Sequence, residues 1–420
     1  MTTKCDVLII GGGSVGLSSA YYLLKSGRKV TIVDRKLIGE GSSSGNAGHI
    51  VPSHIVPLAA PGIIGTAFKW LADAKNSPFG MKISLDPAYL SWLLQFALSC
   101  NASNVTRAIP PLKNLGLLSA ANFASIISEE KLNCFYNTEG MLFLFKTEAG
   151  LKGGMEDAEV LHKNNMAAKV LDQAAVHECE PLALPDIIGG VHYPGDASLN
   201  AVYFLKQLGE RVRAMGADVY ENSPVTGFET SGGKINRVHT SAGDFEPAQV
   251  ILAAGAWSPA VVRGLGLNVP VQPARGYSLS MKPTRVMPRQ ATLLGERRVA
   301  VTPMGDWLRF TGRLELSNLD TTPNPRHIAG IERAVREYIR LDEKLTINET
   351  WAGLRPTTPD GVPIIGFAKK YSNLLLATGH AMLGLSLGPG TGQVVAELAN
   401  GSKTSFDLTP FALERFKFPI

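Results

Sequence analysis

Four stretches of the chain are apolar or nearly so: Val7 to Ile10, Lys29 to Val33 with Thr31 the one polar residue after Lys29, Val250 to Ala254, and Leu374 to Ala377. Each is too short for a helix and has no polar face, the pattern of strands buried on both sides in a parallel sheet. Helical spacing fills the stretches between them: a segment running to Leu24, then Ala88–Ser99, Leu112–Glu129, Ala201–Met215 with Gly216 as a C-terminal stop, and Arg326–Arg340. A final helix is entered near Gly388-Pro389-Gly390 and ends before Asn400-Gly401. Alternating strands are expected over Pro224–Thr230 and Lys234–Thr240, joined by the turn Ser231-Gly232-Gly233. Gly140–Lys146, Ala274–Met281 and Leu308–Thr311 also read as strands. The fold class implied is α/β: a doubly wound, Rossmann-type domain with a central parallel sheet, interleaved with a mixed-sheet α+β domain. The nucleotide domain is expected over 1–49, 190–264 and 345–420, and the second domain over 50–189 and 265–344.

The first buried run opens onto Gly11-Gly12-Gly13-Ser14-Val15-Gly16, and a helix follows at once. This is G-x-G-x-x-G between a strand and a helix. Gly11 permits the sharp turn, Gly13 lets bare backbone approach a pyrophosphate, and Gly16 lets helix and strand pack closely. Unpaired N–H groups at the helix start then face the phosphates. The second run ends at Asp34, where an acid is expected to accept from a ribose hydroxyl, which favours NAD or FAD over NADP.

At 420 residues the chain is long enough for two or three cores of ~150 residues. A net charge of +5 is spread without a basic block, so nucleic acid is not an expected partner. Cys5, Cys100, Cys134 and Cys179 lie far apart with no metal-ligand spacing, as for reduced thiols in the cytoplasm. The first strand begins by about Cys5, so no signal peptide and no export are expected. One stretch alters this picture. Between Ile50 and Phe68 there is no Asp, Glu, Lys or Arg, and prolines and glycines interrupt the run too often for a spanning helix. It is either a loop folded over the site or an apolar lip, bordered by Lys69 and Trp70, that touches a membrane surface.

Three remote segments return to one sheet and each ends in glycines. A large cofactor running through the protein explains this better than a compact nicotinamide site, so FAD is expected. Four motifs carry a family resemblance: Gly11–Gly16 with Asp34; Gly41-Ser42-Ser43-Ser44-Gly45-Asn46-Ala47-Gly48; Ala253-Ala254-Gly255-Ala256-Trp257-Ser258; and Gly353-Leu354-Arg355-Pro356 through Asp360–Gly366 to Gly379-His380. With them the chain resembles the FAD-dependent amino-acid oxidase and dehydrogenase superfamily, and is most similar to the bacterial D-amino-acid dehydrogenases. The resemblance implies non-covalent FAD, because no cysteine follows Cys179 to tether it as in the sarcosine-oxidase type; a histidyl tether at His49 is less expected. It places Ser42 to Ser44, Asn46, Ala47 and Gly48 against phosphate and flavin edge, and Ala254 and Gly255 over the pyrophosphate. It also places Arg35, Val225 and Trp257 along the cofactor, Gly353 beside Arg355, and the turn Met382-Leu383-Gly384-Leu385-Ser386 at the flavin. The last helix would aim its positive end at the flavin carbonyl edge, where charge appears on reduction.

Arg355 falls where the family binds the substrate carboxylate, and a planar fork suits that task; a structural ion pair with an acid is the alternative. His49 and His380 are candidates beside the flavin, or plain hydrogen-bonded histidines. Tyr277 is a candidate pocket wall or amine contact, or core packing. The implied reaction is oxidative deamination of a D-amino acid to a 2-oxo acid and ammonia, with hydride passing from Cα to flavin N5. Electrons would go to a quinone or respiratory chain, at a peripheral membrane position if the lip touches lipid. Alternatives within the fold are proline-, hydroxyproline-, glycine- or sarcosine-type amines. Outside it stand an NAD dehydrogenase and a non-catalytic nucleotide sensor.

Overall fold

The computed structural model describes residues 2–72, 77–82, 84–341 and 344–416. All four apolar runs enter one eight-stranded sheet. Thr2–Ile10 lies at its centre, parallel to Val30–Val33 on one side and to Gly243–Leu252 on the other. Asp218–Tyr220 and Leu374–Thr378 extend the parallel order at the two flanks. Both faces are covered, which is why these strands have no polar side. Val7 and Ile9 pack under helices Ser14–Lys25, Ala102–Glu129, Ala201–Ala214 and Gly388–Ala399 through Leu17, Leu115, Phe204 and Val394. Leu8 and Ile10 point the other way, toward Val238, Phe245 and Val262.

The second sheet has nine strands and is mostly antiparallel. Its order runs Ile347–Thr357, Gln272–Met281, Leu308–Leu316, Val299–Pro303, Ala291–Leu294, Met141–Phe145, Gly189–Tyr193 and Lys169–Asp172, with Phe79–Met81 added beside Leu308–Leu316. One face packs on the helix Pro325–Arg336 through Tyr277, Leu279 and Phe310 against Ile328, Ile331 and Val335. The opposite face, offering the alternate residues of each strand, floors a large cavity between the two sheets.

Several boundaries differ from expectation. Ile347–Thr357 pairs with Gln272–Met281, so these residues join the second sheet and not the nucleotide sheet expected to resume at 345. Gly189–Tyr193 likewise pairs within the second sheet. The long helix begins at Ala102 rather than Leu112 and continues through Pro110 and Pro111. A proline pair reads as a break because it removes N–H donors. Here the helix is held from outside: Ser119 donates to the Ser386 carbonyl at 2.6 Å, and Asn104 to the carbonyls of Ala59 and Asp360. The helix expected to reach Arg340 stops at Arg336, where the chain turns to bury Tyr338 and Ile339. Between Ile50 and Phe68 the chain is a loop and then a helix, Ile63–Ala72, which begins just after the last proline and turn glycine.

Candidate functional site

The strand Thr2–Ile10 ends against Ala253, and the chain must turn there without a side chain. Gly11 has φ +109°, and a Cβ at this position would lie 2.5 Å from the Ala253 carbonyl oxygen. The helix that follows has neither a side-chain cap nor an acid in its first turn. Its start is held by Ser43, whose hydroxyl accepts from Ser14 N at 3.1 Å. Asp34 pins the same turn: its carboxylate accepts from Gly12 N at 2.6 Å and Lys36 N at 2.8 Å. These bonds leave part of its acceptor capacity facing the cavity it lines. Burial outweighs them and raises its pKa. The Ser14 hydroxyl is buried without a partner, an orphan that a bound oxygen would satisfy.

From this turn one continuous cavity of about 1050 Å³ runs to the second sheet. That is at or above the ~300–1,000 Å³ usual for small-molecule sites, as a dinucleotide plus substrate requires. Gly11, Gly13, Ser14, Val15, Asp34, Arg35, Val225, Ala254, Gly255 and Trp257 line its first part. The Arg35 guanidinium lies 4.0 Å from the Trp257 ring centroid, a cation–π contact that closes this end. Ser42, Ser43, Asn46, Ala47, His49 and the turn Met382–Leu385 line the middle. Gly353, Arg355 and His380 stand at the second sheet. Residues that bare backbone and short polar groups would hold against a phosphate-linked dinucleotide are therefore present along its length, and they fit FAD.

Other candidates lie behind this surface. Gly16, Gly48 and Gly379 serve backbone packing rather than lining. The Ser44 carbonyl accepts from Arg309 at 2.6 Å, and the Ser386 hydroxyl accepts from Val51 N at 2.8 Å. Tyr277 is not a cavity wall. Gly276 takes the inward position on that strand, so period-two alternation turns Tyr277 into the opposite core, where its hydroxyl donates to Glu315 at 2.7 Å. The first residues of the last helix, from Gly388, do not line the cavity, whose lining reaches Leu385. Its first turn packs on other helices, and Gly390 N donates to the Ser119 hydroxyl at 3.1 Å. The turn Ala381–Leu383 and the two residues after it, Gly384 and Leu385, are the part of this segment that lines the cavity.

Arg355 has the most telling surroundings. Its guanidinium lies over Gly276 and donates to the Arg313 carbonyl at 2.6 Å. Among the described residues no carboxylate lies within 4.0 Å of it, so the alternative of a structural ion pair is not observed. Burial lowers its pKa to about 10, and it remains charged at neutral pH. His49 shares a 2.8 Å hydrogen bond with the Thr302 hydroxyl, and His380 one of 2.9 Å with Thr391. Desolvation holds both pKa values near about 3, with His54 adding to the effect at His49, so both rings are neutral.

Several lining or supporting residues have no linear signal. Arg309, nearly fully buried, donates to the carbonyls of Ser44 and Asn46 and to the Ser280 hydroxyl, clamping the serine-glycine loop onto the second sheet. Trp351 lies so close to Gly45 and Gly353 that a Cβ on either would overlap its ring. Arg313 and the group His54, Asp157, Tyr193 and Arg298 also reach the cavity. They come from a bulged strand, a loop, a helix, another strand and a hairpin, which only folding brings together.

A glycine turn at the centre of a parallel sheet, a long cavity and an unpaired arginine on a second, mixed sheet define a two-sheet dinucleotide enzyme of the flavoprotein type. The model of the FAD-dependent oxidoreductase (DAO) family matches residues 6–398, and the chain belongs to this family. A D-amino acid dehydrogenase of Granulibacter bethesdensis is 32% identical over 417 residues, covering 98% of this chain and 99% of the relative. One from Methylobacterium nodulans is 34% identical over 403 residues, covering 94% and 95%. Among solved structures, glycine oxidase from Geobacillus kaustophilus superposes with a TM-score of 0.81 at 21% identity, covering 99% and 100% of the two chains. L-proline dehydrogenase from P. horikoshii gives 0.76 at 20%, covering 99% of each. At such identities these two establish the fold alone.

Proposed function

We propose that the chain oxidises D-amino acids to 2-oxo acids and ammonia. The observation that carries this reading is Arg355: a charged, mostly buried guanidinium facing the cavity with no acid of its own. A substrate carboxylate completes it, taking a bidentate charge-assisted pair that fixes the position of Cα. The glycine turn, Asp34 and the serine-glycine loop would hold FAD along the cavity without a covalent link, and when bound it would supply a two-electron acceptor for the Cα hydrogen. The neutral rings of His49 and His380 add no cation to the wall, so an amine bound there is not repelled in its protonated form. It loses its proton to water, and positioning does most of the work, since an aligned pair recovers ~7–11 kcal/mol of barrier. The imino acid released then hydrolyses. The names of the relatives support the D-series over glycine- or proline-type amines.

For electron transfer onward we infer a quinone or another apolar acceptor rather than oxygen. Ile64 and Phe68, on the helix Ile63–Ala72, are exposed and also line the cavity. Leu90, Leu94 and Leu98 are exposed on the helix Pro87–Ser99, whose Trp92, Leu93, Phe96 and Ala97 line the same cavity. Among the described residues no helix is long and apolar enough to cross a membrane, so contact with lipid would be peripheral. The test is anaerobic flavin bleaching by a panel of D- and L-amino acids. Bleaching by D-isomers, followed by reoxidation faster with a quinone analogue than with oxygen, is expected. No bleaching by any amino acid overturns the reading.

A further inference from the structure

We propose that Arg298, Asp157, His54 and Tyr193 form a second polar subsite that takes the carboxamide end of a substrate side chain. This rests on the amino-acid oxidation proposed above and narrows it to a substrate class. All four residues line the same cavity as Arg355, and they come from four separate elements. Asp157 projects from the helix Glu148–Lys163, Tyr193 from the strand Gly189–Tyr193, and Arg298 from the hairpin between Ala291–Leu294 and Val299–Pro303. His54 lies on the loop after His49–Ile50, its ring edge-on to Phe143, which meets Tyr193 in turn.

Arg298 holds φ +50°, the left-handed conformation of a tight hairpin, with its N–H donating to the Leu294 carbonyl at 2.7 Å. Asp157, His54 and Tyr193 all lie within electrostatic reach of it. Yet among the described residues neither the Arg298 guanidinium nor the Asp157 carboxylate makes a hydrogen bond or an ion pair within 4.0 Å. Both residues are exposed, so water solvates them before substrate binds; an acid and a base that face one cavity without closing on each other leave a gap that a group able to satisfy both can take from that water. A carboxamide does so, with its oxygen accepting from Arg298 and its NH2 donating to Asp157. A carboxylate would leave Asp157 facing like charge, and an ammonium would do the same to Arg298.

Distance sets the side-chain length. Arg355 lies on the edge strand Ile347–Thr357, and Arg298 adjoins Val299, which pairs with Gly312 three strands away. Three strand steps span about 14 Å, and because Arg355 is level with Ala274 while Val299 is level with Tyr277, an offset of three residues adds about 10 Å along the strands, for a separation of about 17 Å. Two long arginine side chains close much of that distance but not all of it. An alanine methyl held at Arg355 does not reach the second group, whereas a glutamine-length side chain extends toward it.

The experiment compares D-glutamine with D-alanine in turnover, and 4-carbamoylbutanoate with pentanoate as unreactive competitive inhibitors of the FAD-loaded enzyme. The wild type is expected to prefer the carboxamide of each pair at least tenfold. Arg298→Ala and Asp157→Ala should each bring both ratios to near one, with Arg298→Lys restoring part of the preference. If wild type and variants show the same ratios, or glutarate (the dicarboxylate) is preferred to 4-carbamoylbutanoate, the subsite is refuted. Should D-alanine itself fail to bleach the flavin along with every other amino acid, the proposed function falls instead. The two failures are thus told apart.

Discussion

Replacing Arg355 by methionine separates its functional role from a structural one, because the two consequences carry opposite signs. Lost to the substrate are two charge-assisted hydrogen bonds to its carboxylate, each worth about 1.5–3 kcal/mol. That predicts a fall of about 10²–10⁴-fold in kcat/KM for D-amino acids. The protein itself should gain. Burial holds the guanidinium pKa down to about 10, which corresponds to about 3 kcal/mol spent on keeping the charge in place. Against this stands one hydrogen bond to the Arg313 carbonyl, about 1.5–3 kcal/mol, which methionine cannot make. The sum runs from zero to a gain of ~1.5 kcal/mol, so the melting temperature should hold or rise by a few degrees. The assay pairs steady-state kinetics with thermal melting of FAD-saturated wild type and Arg355→Met, and checks the flavin spectrum for retained cofactor. A variant that loses activity and also melts well below wild type would show that the arginine holds the fold, and the carboxylate-anchor argument would fail.

Three further outcomes follow from the same geometry. Gly45→Ala places a methyl against Trp351 and should weaken FAD retention on dialysis, while Trp351→Ala in the same chain restores it; failure of the second change to rescue the first would refute the steric account. His49 is neutral throughout the working range, so the kcat/KM–pH profile between pH 6 and 9 should keep the same shape in His49→Gln, its acid limb belonging to the substrate amine. A limb that disappears with the imidazole would make His49 the titrating base. Asp196, buried with Ser53 donating to it through backbone N–H and hydroxyl, has its pKa pushed up to about 7 by desolvation. The folded state therefore holds a proton that the unfolded state releases near pH 4, and stability falls as pH rises from about 4 to 7. The melting temperature of Asp196→Asn minus that of wild type should grow over that interval; a constant difference would contradict the raised pKa.

The nucleotide half of this protein was legible in the linear chain, and the reason is physical. A strand buried on both faces must be apolar throughout, and a phosphate-binding turn must be bare, so Val7–Ile10, Gly11–Gly16 and Asp34 announce themselves within one short stretch. The same holds for Val250–Leu252 and Leu374–Ala377, which align beside them. Arg355 stood out through its family motif, but its lack of an acid partner is a property of space. For Tyr277 the linear chain left wall and core both open, because one residue of alternation decides which side of a sheet a side chain joins; what covers each face settles it as core. The helix that continues through Pro110 and Pro111, the packing of Gly390 on Ser119, the Arg309 clamp and the Arg298–Asp157 pair were all decided by contacts between segments far apart in sequence. Local composition determined where the dinucleotide-type turn lies. The site that surrounds the substrate is assembled from long-range contacts, which no run of neighbouring residues encodes.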